Sequence, residues 1–107
     1  MNDTIFVELQ TSCADRQEAE KIADALLASK LIACAKFFPI DSKFLWKGEV
    51  QQGSEVMLNM LTIPDNFEKV KSAITGLHSY DTFVLQQVPL TRVSTEAQAW
   101  LDESLGV

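Results

Sequence analysis

The residues able to do chemistry in this chain are few and mostly single. His78 is the only histidine, set in Leu77-His78-Ser79-Tyr80-Asp81. Imidazole titrates near neutral pH and ligates metals, so His78 is a candidate metal ligand or proton donor. The bland alternative is a loop histidine that fixes a turn through hydrogen bonds. Tyr80 and Asp81 can complete a polar cluster with it. Cys34 lies inside an expected strand, where a thiol is more often a small packing residue than a soft ligand facing a cleft. Cys13 precedes an expected helix N-terminus, a place that can favour thiolate. An unexceptional loop thiol is its plainer reading.

What is missing narrows the chemistry further. A C-x-x-C pair, as in copper chaperones, would need a second cysteine where Arg16 stands. Met57 and Met60 fall on opposite faces of a strand, so they fill a core and form no thioether cage. A serine–histidine–acid order, a phosphate loop, an H-E-x-x-H helix and zinc-type spacing are all absent. The sequence therefore predicts a protein that is not an enzyme.

Composition limits the partners. The chain has 107 residues, which fits one domain over 1–107, and 47% of them are hydrophobic, enough for a core. Nine basic residues against 15 acidic ones give a net charge of −6. Nucleic acid and anionic membrane both call for a basic footprint, so neither is expected. No apolar run approaches the length of a membrane span. Met1-Asn2-Asp3-Thr4 lacks the basic start of a secretory signal, and two reduced thiols fit a cytoplasmic protein. A Cys13–Cys34 disulfide is the alternative.

The elements that must position these residues follow from periodicity. Thr4–Thr11 reads as a first strand with Ile5, Val7 and Leu9 as its apolar side. Asp15 with Glu18 three positions on resembles a capping box. Ala19, Ile22, Ala23, Leu26 and Leu27 then make one helical stripe, ending near Ser29-Lys30. A long hairpin from Leu31 to Thr62 turns at Trp46-Lys47-Gly48-Glu49. Phe38, Ile40, Phe44 and Trp46 share one strand face. Pro39 marks an edge or bulge and Gly53 an irregularity. Strands usually run about 5–6 residues, so this hairpin is too long for a small domain to cover alone. It predicts a neighbouring subunit. Pro64 opens a second helix, with Phe67, Val70, Ile74 and Leu77 buried and Gly76 near its end. Asp81–Leu90 reads as a fourth strand. Ser94 starts a third helix with Ala97, Trp100, Leu101 and Leu105 inward. The order is β-α-β-β-α-β with an added C-terminal helix. This is a ferredoxin-like α+β sandwich with a long hairpin between its second and third strands.

These segments, taken in order, resemble the CutA divalent-cation tolerance family. The matching stretches are Ala19-Glu20-Lys21-Ile22-Ala23, Leu31-Ile32-Ala33-Cys34-Ala35, Ser42–Glu49, Glu55-Val56-Met57-Leu58, Leu77–Asp81 and Val88-Pro89-Leu90, with Trp100-Leu101 in the last helix. The resemblance spans nearly the full length. It implies a homotrimer with strands pairing between subunits, and a role in tolerance of copper and other divalent metals. It further implies clefts between subunits, as in P-II signalling proteins. On this chain the cleft residues would be Trp46, Tyr80 and Lys36, and the metal candidates His78, Cys34 and Asp81. The chain departs from the family at Leu61, Ser79, Val84 and Lys36. Two other readings accompany this one: a P-II-like sensor of a small anion using Lys36, Lys43 and Lys47, and a trimeric scaffold for partner proteins.

Overall fold

The computed structural model describes residues 5–107. Four strands and three helices follow in the order β1 (Val7–Cys13), α1 (Arg16–Ala28), β2 (Cys34–Trp46), β3 (Glu49–Thr62), α2 (Phe67–Thr75), β4 (Gln86–Pro89) and α3 (Thr95–Leu105), with a short 3₁₀ turn at Pro64–Asn66 before α2. The strands form one antiparallel sheet in the order β2-β3-β1-β4. That is the strand order of a ferredoxin-like fold, as the element sequence predicts.

Period-two burial along β1 decides which sheet face the helices cover. Val7, Leu9, Thr11 and Cys13 are buried. They share the helix side with Leu58, Met60 and Thr62 of β3. From α1 come Ala19, Ile22, Ala23 and Leu26, and from α2 Val70 and Ile74. Leu27, expected in the α1 stripe, is 40% exposed. Asp15 caps α1, its Oδ1 accepting the Glu18 N–H at 2.8 Å. Ser29 ends the helix, and Lys30 then takes a left-handed φ of 58°.

The hairpin is a continuous ladder from Cys34↔Leu61 to Trp46↔Glu49. Its two-residue turn places Lys47 at φ 51° and Gly48 at φ 80°. Positive φ at both positions matches the right-handed twist of the strands it joins. Pro39 sits in β2, the edge strand, where its missing N–H is harmless. Gly53 pairs with Ser42 without breaking the register, so the irregularity expected there is absent. β1 covers β3 only from Val56 to Thr62. The rest of the hairpin is a two-stranded ribbon, which stretches the chain to 50 Å in its longest dimension.

Strands β1 and β4 and helix α3 differ from the sequence reading. Strand β1 starts at Val7 and runs to Cys13, because β3 offers partners that far. Ile5 is 65% exposed and Phe6 is buried in its place; Thr4, the expected first residue, lies outside the described residues. Strand β4 holds only Gln86–Pro89 of the expected Asp81–Leu90. Residues 81–85 stay out of the ladder, and among them Phe83 stacks on His78. In α3, Leu101 is buried but Trp100, expected inward, is 46% exposed.

Candidate functional site

Because β4 runs antiparallel beside β1, the turn that precedes β4 lies at the end of β1. This topology brings His78, Cys13 and Glu18 together. Their ligand-type atoms all lie within 4.8 Å of one another. Cys13 closes β1, Glu18 is in the first turn of α1, and His78 follows α2.

Each polar atom in this cluster already has a role. His78 Nε2 lies 3.0 Å from the Ser12 carbonyl oxygen, and Nδ1 accepts the Tyr80 N–H at 3.2 Å. A carbonyl only accepts and an amide only donates, so the ring is neutral with its proton on Nε2. The imidazole stacks on Phe83, with centroids 4.9 Å apart and planes 10° apart. Its side chain is fully enclosed. Glu18 accepts the Ala14 N–H on Oε2 at 2.7 Å and the Ser79 N–H on Oε1 at 2.5 Å. Burial pushes its carboxyl pKa up, but the hydrogen bonds from Ala14 and Ser79 outweigh burial and hold it below the ordinary value. The Cys13 thiol is pushed up to about 12 by burial first, then by the charges of Glu18, Glu55 and Asp15. The thiolate that a helix N-terminus can favour is disfavoured here, and Cys13 is a buried strand residue near carboxylates where the plainer reading had a loop thiol.

A metal ion needs lone pairs, and a cysteine ligand must lose its proton. This cluster offers a protonated thiol, an imidazole with both nitrogens engaged and a carboxylate with both oxygens engaged. An ion could reach the imidazole only by displacing the Tyr80 amide, and the thiol only by removing its proton. The arrangement does not fit a resident metal. It works as a clasp that ties the Ser79–Asp81 turn to β1 and α1.

The clasp sets the position of Tyr80 and Asp81. The Tyr80 hydroxyl donates to Glu55 Oε2 at 2.7 Å, fastening the turn to the root of the ribbon. Burial first, then this bond and the Glu55 charge, raise the tyrosine pKa. Beside it opens a hollow of about 370 Å³. Tyr80, Asp81 and Thr82 form one wall, and Phe44, Trp46, Gln51 and Gln52 of the ribbon form the other.

The sequence-predicted residues thus divide into groups. Trp46, Tyr80 and Asp81 meet at the hollow. His78 lies behind them in the clasp. Cys34 is half-buried at the opposite end of the sheet, opposite Leu61, whereas Cys13 is opposite Val56. At about 3.4 Å per residue that offset is about 17 Å. Lys36 is opposite Asn59 on the sheet face away from the helices. Both cysteines are free, so the disulfide alternative does not occur. Sequence reasoning missed Glu18 as a partner of His78; its capping position gave its contact with α1 but hid its second contact.

The family model described as CutA1 divalent ion tolerance protein matches residues 7–104. The chain belongs to this family. The divalent-cation tolerance protein CutA of Archaeoglobus fulgidus is 36% identical over 89 residues, 83% of this chain and 87% of that protein. The Escherichia coli protein of the same name is 30% identical over 105 residues, covering 97% of this chain and 94% of its own. In three dimensions the chain superposes on the periplasmic divalent cation tolerance protein CutA of A. fulgidus with a TM-score of 0.91, at 32% identity, covering 94% of this chain and 98% of the other. The relatives are named for tolerance and not for a reaction. No helix among the described residues is long and apolar enough to cross a membrane.

Proposed function

We propose that this chain, as a single domain over residues 1–107, forms a homotrimer that serves divalent-cation tolerance, copper included, in the cytoplasm, without catalysing a reaction. One observation carries the assembly. The ribbon beyond Val56 leaves the facing pair Leu45 and Val50 74% and 68% exposed, on the ribbon face opposite Phe44 and Trp46. A two-stranded ribbon is marginal alone in water, and clustered exposed apolar side chains mark an interaction surface. A second copy of the chain is the partner that the family resemblance supplies.

Any divalent ion is met weakly. Among the metal candidates, Asp81 is exposed and Cys34 half-buried, so these two are the donors presented to an intersubunit cleft. His78 contributes by holding the Tyr80–Asp81 turn. The P-II-like reading gains no support from the lysines. Lys36 lies on the open sheet face, Lys43 borders a separate polar depression and Lys47 sits in the ribbon turn.

Sedimentation equilibrium tests the assembly, with the expected mass that of three 11.9 kDa chains. A monomer at every loading concentration refutes it. Copper titration by calorimetry tests the ion, with an expected dissociation constant of about 1 μM or weaker. Nanomolar binding refutes the weak-contact reading.

A further inference from the structure

The hollow beside Tyr80 has the composition of a site for one class of ligand. Phe44 and Trp46 supply aromatic surface, Tyr80 a third ring and Asp81 a carboxylate, and no lysine or arginine lines it. Aromatic faces are electron-rich and attract cations. The Tyr80 hydroxyl is committed to Glu55, so a second carboxylate stands behind that ring. Lys47 Nζ, outside the lining, lies 5.9 Å from the centre of the Trp46 ring and is the ammonium a ligand would compete with there. The volume of about 370 Å³ falls near the lower end of small-molecule sites, about 300–1,000 Å³.

Other ligand classes fit less well. An anion meets a carboxylate and no basic side chain. A bare divalent ion wants several oxygen, nitrogen or sulfur ligands, and here finds one carboxylate among rings and amides. A compact cation with an apolar shell satisfies both walls at once.

We propose that this hollow binds a small organic ammonium ion, with Trp46 and Phe44 as the cation-facing wall and Asp81 as the counter-charge. The proposal rests on the reading that the hollow belongs to a cleft the assembly leaves open. Choline is the probe, and 3,3-dimethyl-1-butanol, its uncharged isostere, is the control. In a Trp100→Phe protein, Trp46 is the remaining tryptophan of the two in the chain, and its fluorescence reports the hollow. Choline should give a saturable change, and the isostere should bind about tenfold more weakly, the equivalent of about 1.4 kcal/mol. Asp81→Asn should weaken choline about threefold at low salt and leave the isostere unchanged. Equal affinity for the two probes, or saturation by neither, overturns the proposal. Sedimentation of the same samples separates the two readings. A trimer without a choline response overturns the ammonium site alone. A monomer that still binds choline overturns the assembly alone, and a monomer that does not bind overturns both.

Discussion

Glu18→Gln isolates the charge that holds the clasp shut. The carboxylate receives the Ala14 N–H on one oxygen and the Ser79 N–H on the other, at 2.7 and 2.5 Å, with the side chain only 11% exposed. Glutamine keeps the shape and one acceptor oxygen. Its NH₂ must then face one of the two amide donors, so one charge-assisted bond becomes a donor–donor contact. Hydrogen bonds to charged groups contribute about 1.5–3 kcal/mol each. Ser79 is exposed, so water can replace part of its bond. The expected loss at pH 7 is about 2 kcal/mol.

The acid limb supplies a second readout. The folded carboxyl pKa lies below its ordinary 4.5. A lowered folded pKa stabilises the native state above the unfolded value, and this contribution fades as pH falls through the folded value. The wild type should therefore lose stability on acidification below about pH 4.5, and the variant should lack that component. Urea unfolding followed by circular dichroism, at one protomer concentration and several pH values, measures both effects. The fixed concentration matters because assembly adds to apparent stability by mass action. A variant within about 0.5 kcal/mol of wild type at pH 7, or one with an unchanged acid slope, refutes the clasp.

Three further perturbations probe other parts of the chain. In a Cys34→Ala protein, Cys13 should react with a thiol reagent only as fast as the protein opens; with its pKa raised from 9.0 to about 12, its contribution to stability is full below pH 9.0 and fades as pH rises toward 12. Rapid labelling of the native protein at pH 8 refutes this. Thr62→Val should cost about 1–3 kcal/mol in urea unfolding, because the Thr62 hydroxyl donates to the Leu31 carbonyl at 2.6 Å and accepts from Asn66 Nδ2 at 3.1 Å; a change below about 0.5 kcal/mol would mean that water replaces both bonds. Leu45→Lys with Val50→Lys, which charges a facing pair on the ribbon, should lower the sedimentation mass while leaving the helical circular dichroism signal intact; an unchanged mass removes this pair from the subunit contact.

Local patterns made most of the fold legible. The α1 stripe follows from residues three and four apart that share a face, and its start from a side chain at Asp15 that can accept an N–H. The Lys47-Gly48 turn was readable because glycine tolerates the positive φ that a two-residue hairpin turn needs. The ends of β1 and β4 were not readable. Strand β1 runs to Cys13 because β3 offers partners that far, whereas β4 begins only at Gln86 although β1 continues through residues 11–13. Trp100 and Leu27 show a related limit: an apolar residue at the edge of a stripe does not by itself reveal whether anything covers it.

Part of the site followed from topology more than from residue type. Once the strand order β2-β3-β1-β4 is set, the end of β1 and the start of β4 share one end of the sheet, so Cys13 and His78 must be neighbours. The same order places the start of β2 beside the end of β3, which sends Cys34 to the other end. Grouping Cys34 with His78 therefore requires a second chain to bring them together, whereas Cys13 and His78 meet within one. What topology does not reveal is whether such neighbours are open to a ligand. That depends on which backbone amides reach their lone pairs, and here Ala14, Ser79 and Tyr80 reach Glu18 and His78 first. The chain thus places its most metal-like residue types where they hold a turn, and leaves the hollow beside that turn to rings and a single exposed carboxylate.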